Sequence, residues 1–522
     1  MEPQVRARAK ARLPNVPARL TLVLPTQACT LSERILVWVF FYTTQFCIFF
    51  YCSDLLSALL LSQKFITTEG KIMCGIAGAI GVENATDTIR TMLHALQNRG
   101  QQAAGIVSID GTKKHEYRST GTVIEFPQEE LDALVGNIAI GHNRYATAAN
   151  SDGPKNMQPF LMTIRNEPIA IAHNGNFTNI PDIEETELEG TPFVSESDTE
   201  RFFRLLLRTH RVDSLENSII ATLEKMLGSC SAVLALPGQL IAVRDSSGNR
   251  PLFWGRLGKG FVVASETSAL DALGVFAWQE VLPGTIVTFC GDGEIFISGP
   301  FGNDIRHYCP FELVYFGQIT STLYGIPVTD IREEFGRELA REHPVEADVV
   351  LGIPDSGTLS AGGYGEVNAS GVFEPHAIIR RHNTGRTFIK SGQAKRERGV
   401  ADKFGFATDK IMGKRIVVVD DSLVRGTTSK RITEELRSRG ATEVHWRIPS
   451  PPVTGPCHYG IATKAGELLA ADHTVDQMRE YIGADSLQFI SLERFKSVIE
   501  RHGVSPSDCC FACMDGKYWD LT

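Results

Sequence analysis

The chain has no surplus of positive charge: 52 Lys and Arg stand against 61 Asp and Glu, giving a net charge of −9 over 522 residues. A protein-wide basic field that would recruit nucleic acid is therefore excluded. Cysteine is also sparse for this length, with eleven residues thinly scattered except for Cys509, Cys510 and Cys513. That is not the dense framework of a small secreted scaffold, and it favours a reducing compartment. The 47 Gly and 24 Pro are spread along the chain, so a collagen-like, repeat or mostly disordered protein is excluded. No G-x-x-x-x-G-K-[ST] occurs, which removes a Walker-type nucleotide loop. What remains is ordinary globular composition, 43% hydrophobic and 22% charged, in a chain long enough for more than one domain.

Residues 1–73 are an extension chemically unlike the rest. Residues 1–72 hold eight Lys and Arg against four acids, and Ile35 to Ser53 is an uncharged run of nineteen residues, about the length that spans a bilayer core as a helix. Alone it reads as a membrane anchor. The basic stretch before it also resembles a signal peptide, but the apolar run starts late, is rich in aromatics and lacks a small-x-small cleavage site. Three readings stay open, in order of preference: residues appended by an upstream start codon, a removed presequence, and a true anchor. The order follows from Met73-Cys74-Gly75-Ile76-Ala77-Gly78. Loss of Met73 would leave Cys74 with a free α-amino group, which titrates near ~7.7–8.0 and can deprotonate its own thiol. One residue would then be both nucleophile and base. The bland alternative is a small buried residue in a first strand.

Downstream residues weigh against the bland alternative. A helical stretch with apolar Ile89, Met92, Leu93 and Leu96 leads into Asn98-Arg99-Gly100-Gln101-Gln102. There follow Gly141-His142-Asn143-Arg144-Tyr145-Ala146-Thr147, Ala172-His173-Asn174-Gly175-Asn176, Ser197-Asp198-Thr199-Glu200, and Arg244-Asp245-Ser246-Ser247-Gly248-Asn249-Arg250. Any one of these could be a turn. In this order after Cys-Gly-Ile, they resemble the glutaminase domain of the N-terminal-nucleophile amidotransferases over residues 74–300, which implies an αββα sandwich. Carried over by position, the resemblance makes Cys74 the nucleophile, with Asn174 and the Gly175 N–H as the oxyanion hole. It makes Arg144 the clamp on the α-carboxylate of glutamine and Asp198 the partner of its α-ammonium. One Arg and one Asp suit a substrate that carries both charges beside its amide.

In the second half, Ile416-Val417-Val418-Val419 reads as a buried parallel strand ending in Asp420-Asp421. The loop Ser422-Leu423-Val424-Arg425-Gly426-Thr427-Thr428 then leads to a helix expected over Arg431–Arg439, closed by Gly440. In a doubly wound α/β sheet such a strand end is where ligands bind. Loop N–H groups and threonine hydroxyls make an anion cradle, and the acid pair suits ribose hydroxyls and hydrated Mg²⁺. The segment resembles the phosphoribosyl pyrophosphate (PRPP) loop of type I phosphoribosyltransferases. On that resemblance Asp420, Asp421, Ser422, Arg425, Gly426, Thr427 and Thr428 bind PRPP, with Asp355, Ser356 and Gly357 on the pyrophosphate side and Lys403 closing from a basic, lid-like segment. Ser321, Asp420 and Asp421 would hold Mg²⁺.

Glutaminase followed by phosphoribosyltransferase resembles the amidophosphoribosyltransferase family across nearly all of residues 74–522, with the second domain at 301–480 and a tail at 481–522. Cys309, Cys457, Cys510 and Cys513 fall where the iron–sulfur branch places four [4Fe–4S] ligands; zinc also accepts four sulfurs. Cys509 is then a spectator, and Cys230 and Cys290 are core residues. The chain departs from the usual pattern at Gly317–Ser321, Arg380–Asn383 and Val400–Lys403, which bears on lid closure and coupling between sites. The resemblance implies a cytoplasmic pentosyltransferase that turns glutamine, PRPP and water into 5-phosphoribosylamine, glutamate and pyrophosphate, the first committed step of purine synthesis. It further implies a homodimer or homotetramer without nucleic-acid or membrane partners. The alternatives are a diverged paralogue acting on another PRPP-like acceptor and a non-catalytic sensor of PRPP or glutamine.

Overall fold

Small and β-branched residues after Cys74 form the strand Gly75–Ile80, buried along its whole length. It pairs antiparallel with Ile138–Arg144 on one side and Gly260–Ala264 on the other, in the middle of a seven-stranded sheet. A six-stranded antiparallel sheet, which includes Glu167–Phe177 and Gly228–Leu236 as neighbours, packs against it. Alternate residues meet between the two: Ile76, Ile80, Ile138 and Ile140 from one, Ala170, Ala172, Val233 and Leu240 from the other. The outer faces are covered by helices. Ala85–Ala95, capped by Asn84, buries Ile89, Met92 and Leu93 on the first sheet, and Asp198–Thr209 buries Phe202, Phe203, Leu205 and Leu206 on the second. This is the expected αββα sandwich.

The structure, a computed structural model, describes residues 73–144, 154–164, 166–210, 214–381, 403–461, 463 and 466–520. The extension readings, Tyr145-Ala146-Thr147 and lid residues 382–402 lie outside the described residues. Among the described residues no helix is long and apolar enough to cross a membrane. Residues 71–522 form one unit, within which the expected boundary near 300 falls.

Five parallel strands make the second large sheet, in the order Val372–Phe373, Val349–Gly352, Arg415–Val419, Glu443–Ile448, Ser486–Phe489. Val350, Val417 and Val419 face a core with Phe335, Leu339 and Tyr364, while Leu351, Ile416 and Val418 face one with Ile432, Leu436, Met478 and Ile482. Burial on both faces explains the unbroken apolar strands. The order reverses between Val349–Gly352 and Arg415–Val419, and a crevice at such a reversal is where open α/β sheets bind ligands.

Two expected boundaries shift. The end at 480 falls inside helix Val475–Ile482, whose Met478 and Ile482 pack on the sheet, and the next strand completes that sheet. The helix expected from Arg431 begins at Thr427 and runs to Ser438, because Gly426 at φ 70° turns the chain directly into it.

Candidate active site

Cys74, half-buried, precedes the first strand, and the pairing of Gly75 with Asn143 sets Arg144 at the same end of the ladder. On the other sheet Asn174 is buried, and its Nδ2 has no hydrogen-bond partner among the described residues. An open buried amide donor costs about 1–3 kcal/mol unless something accepts from it, and a developing oxyanion would. Gly175 has φ 150°, and a Cβ there would lie 2.1 Å from the Ser229 carbonyl oxygen, so only glycine fits. Asp198 opens its helix beside this turn: Oδ2 accepts from Phe177 N at 3.1 Å and Oδ1 from Thr199 N at 2.8 Å.

Two buried histidines underlie the site. His173 Nδ1 lies 3.0 Å from Thr199 Oγ1, and Gln158 bridges the two segments, donating to Thr199 Oγ1 at 3.1 Å and accepting from His173 N at 2.7 Å. Burial lowers the His173 pKa against the pull of Asp198. Burial first, then the charges of Arg144 and His173, push His142 down to about 3. The four family-matched residues Arg144, Asn174, Gly175 and Asp198 thus share one polar floor.

The second site forms at the sheet reversal. Gly357 lets the two loops touch, since a Cβ there would lie 2.5 Å from the Val419 carbonyl oxygen. Ser356 Oγ donates to Asp421 Oδ1 at 2.8 Å, Asp421 N to Asp420 Oδ1 at 3.0 Å, and Ser422 Oγ to the Asp421 carboxylate. Asp420, Asp421 and Ser422 are buried at the strand end. Thr427 and Thr428 form the first turn of Thr427–Ser438, and Thr427 Oγ1, like Asn174 Nδ2, is one of the buried polar atoms without a partner among the described residues. It sits where backbone N–H groups and the helix dipole favour an anion.

Other expected residues stand further out. Arg425 pairs with Glu467, and exposed Asp355 pairs with Arg380 at 2.9 Å. Lys403 is exposed beside the strand Phe404–Phe406, its carbonyl accepting from Arg381 N at 2.8 Å. Ser321 is buried, donating to Glu266 Oε2 at 2.7 Å and accepting from Ser268 N at 3.4 Å.

The cysteine-bearing segments converge. Cys510 N donates to the Tyr308 carbonyl at 2.8 Å, and Thr454 N and Gly455 N donate to the Cys513 carbonyl at 2.9 and 3.0 Å. Burial pushes the Cys309 thiol up to about 11 and raises Cys510 and Cys513 well above the usual range, reinforced by one another and by Cys457. Among the described residues no three His, Cys, Asp or Glu side chains already form a group that could hold a metal ion. Cys309, Cys510 and Cys513 lie near enough to Cys457 and to one another for these shifts, and the number and softness of the four thiols suit a four-thiolate centre, but the side chains are not drawn together as a ligand set. Cys230 is buried as expected; Cys290 is only half-buried, at the end of the strand Thr285–Cys290 beside the turn to Glu294.

Sequence reasoning gave no role to a buried charge network. Arg99 donates to Glu266 at 2.5 Å and to Glu312 at 2.7 Å, Arg250 reaches Glu312 at 3.3 Å, and Asn98 Nδ2 donates to Glu266 and to the Phe316 carbonyl, each at 2.8 Å. Glu266 in turn accepts from Gln318 N at 2.7 Å. The network ties the Asn98–Gln102 turn to the Glu312–Phe316 junction. Arg99 and Arg250 stand in motifs already noted, but no spacing in the sequence pairs them with Glu266 or Glu312.

A nucleophile-bearing sandwich joined to a phosphoribosyltransferase sheet defines a glutamine-dependent transferase that works on a phosphorylated ribose. A glutamine amidotransferase domain family matches residues 142–272. Amidophosphoribosyltransferases of Bacillus subtilis (strain 168) and Archaeoglobus fulgidus are 41% and 39% identical, covering 85% of this chain and 94% and 98% of their own lengths. A chloroplastic amidophosphoribosyltransferase of Arabidopsis thaliana is 41% identical over 85% of this chain and 79% of its own. The solved glutamine PRPP amidotransferase of B. subtilis, complexed with ADP and GMP, matches at TM-score 0.79 and 40% identity, over 85% of this chain and 97% of that one. The chain belongs to the amidophosphoribosyltransferase family. It is an enzyme of the first step of purine biosynthesis, moving the amide nitrogen of glutamine onto PRPP.

Proposed function

We propose that Cys74 is the glutamine nucleophile once Met73 is gone, with Asn174 Nδ2 and the Gly175 N–H receiving the oxyanion. The observation that carries this reading is the pair of open buried polar atoms, Asn174 Nδ2 and Thr427 Oγ1, one at each anion site. Arg144 and Asp198 hold the α-carboxylate and α-ammonium of glutamine. The α-amino group of Cys74 takes the thiol proton, the thiolate adds to the carboxamide carbon, and ammonia leaves a thioester that water hydrolyses to glutamate. Ammonia must travel inside the protein, because in neutral water it is mostly ammonium and not nucleophilic. At the second site Asp420, Asp421 and Ser422 hold the ribose, Gly426, Thr427 and Thr428 cradle the 5-phosphate, and Asp355 to Gly357 face the pyrophosphate, with Arg425 and Lys403 adding positive charge.

Mg²⁺, when bound, would offset charge on the departing pyrophosphate; Asp420 and Asp421 would hold it, and Ser321 would have to leave Glu266 to join them. Cys309, Cys457, Cys510 and Cys513 would hold a [4Fe–4S] cluster that ties the C-terminal tail to both halves. A cytoplasmic homo-oligomer completes the reading. Active enzyme should give an N-terminal sequence beginning at Cys74; an active form with residues still attached would remove the base, since an amide nitrogen cannot serve. Anaerobically purified protein should be brown with about four Fe per chain, and stoichiometric zinc without iron would overturn the cluster.

A further inference from the structure

The loop from Gly455 to Gly460, which carries the Cys457 thiol, packs behind the oxyanion turn. Asn176 Nδ2 donates to the His458 carbonyl at 2.8 Å. Ser229 Oγ accepts from Asn176 N at 3.3 Å and donates to the Tyr459 carbonyl at 2.8 Å, where Arg250 Nε and Nη2 also donate at 3.1 and 2.6 Å. Gly460 approaches so closely that a Cβ on it would lie 3.2 Å from the Gly175 carbonyl carbon. The far side of the loop is held by the C-terminal tail. Tyr459 OH donates to Asp520 Oδ1 at 2.5 Å, Thr178 Oγ1 donates to Oδ2 at 2.7 Å, and the Trp519 ring stacks on Tyr459 at 3.4 Å and on His307 at 4.3 Å.

This arrangement has a mechanical consequence. Phe160–Ile164 pairs with Glu167–Phe177 only as far as Ile171, so among the described residues Asn174 to Phe177 have a strand neighbour on one side alone. An oxyanion donor contributes in proportion to how firmly it is aimed beforehand. The peptide between Gly175 and Asn176 is fixed through Ser229 and this loop.

We infer that Ser229, Tyr459 and Asp520 are positioning residues for the oxyanion hole, which makes the thiol-bearing loop and the C-terminal tail part of the glutaminase site. The inference rests on Asn174 and Gly175 being the oxyanion donors. It is tested in the full enzyme with Ser229→Ala, Tyr459→Phe and Asp520→Asn, beside Asn174→Ala. The readouts are kcat and KM for glutamine, the ammonia-dependent rate, the thermal midpoint, and inhibition by glutamate γ-semialdehyde, whose carbonyl takes up the Cys74 thiol to form a thiohemiacetal with its oxygen in the hole.

Each positioning variant should lower glutamine kcat by about ten- to a hundredfold with KM nearly unchanged. Aldehyde inhibition should weaken in parallel, while affinity for glutamate itself and the ammonia-dependent rate hold. Unchanged glutamine kcat and aldehyde affinity in all three, with both reduced in Asn174→Ala, would overturn the inference alone. If Asn174→Ala reduces neither, the oxyanion reading fails and takes the inference with it. Equal loss of glutamine- and ammonia-dependent rates with a lowered thermal midpoint would show a merely structural role and also overturn it.

Discussion

At Asn174 the open donor projects from a strand whose register with Gly228–Leu236 is fixed, whereas at Thr427 it is a hydroxyl in the first turn of a helix. The proposed glutaminase site is therefore set by sheet pairing, by glycines that admit no side chain and by the loop packed behind them. The proposed PRPP site is set by two loops at a strand-order reversal, joined by the Ser356–Asp421 hydrogen bond. Register gives a site that is aimed before the substrate arrives; loops give one that can close around its ligand. Changes at the first should act mainly on kcat, and changes at the second mainly on KM.

The largest effect should come from Cys74→Ala. Glutamine-dependent synthesis should fall by about a thousandfold or more, since in the proposed reaction the Cys74 thiol forms the bond to the carboxamide carbon. Synthesis from ammonia at high pH should survive, because the PRPP loop lies on another sheet. Full activity with glutamine in this variant would erase the distinction between the sites.

Next in size are Asp421→Asn and Thr427→Ala. Losing one hydrogen-bonding group to an anion costs about 1–3 kcal/mol, which is about five- to a hundredfold in PRPP KM. Glutamine hydrolysis should persist in both. Unchanged PRPP kinetics in the pair would show that the Asp420–Thr428 loop is not where PRPP sits.

The comparison also explains what the sequence could disclose. Both proposed sites rest on contiguous segments that a sequence displays: Cys74 just before the strand that opens with Gly75-Ile76, Asn174-Gly175 on a strand, and Asp420 to Thr428 at a strand end. The parallel sheet was legible as one strand, Ile416–Val419, because burial on both faces demands an unbroken β-branched run. The helix starts at Thr427 rather than Arg431 because Gly426, at φ 70°, turns the chain into it in a single residue, which no periodicity in the sequence marks. The connections between sites were not legible. Glu266 meets Arg99 across 167 positions and Asp520 meets Thr178 across 342, and nothing local marks either partner. Ser321 shows the same limit, since its place in a family pattern says nothing of the Glu266 carboxylate that accepts its hydrogen bond.

The last case, His142, should change no kinetic constant but only stability in acid, and it sharpens the contrast because it lies on the rigid side, beneath the proposed glutamine site. Arg144 on its own strand and His173 on Glu167–Phe177 face it, and with burial they hold its pKa at about 3. An unfolded histidine takes up a proton near 6.5. Between those values the unfolded chain binds the proton and the folded chain does not, so stability is intact above pH 6.5 and is lost progressively as pH falls toward 3. At pH 4 the loss from this residue alone approaches about 3 kcal/mol, at roughly 1.36 kcal/mol for each pH unit below 6.5. His142→Gln cannot titrate, so its unfolding free energy in urea should fall less steeply than that of the parent enzyme between pH 6.5 and 4. Carboxylates that lose their partners in acid contribute equally to both proteins and cancel in the difference. Parallel curves over that interval would mean that His142 already carries its proton in the folded state, and the floor beneath Asn174 would then be a charged one.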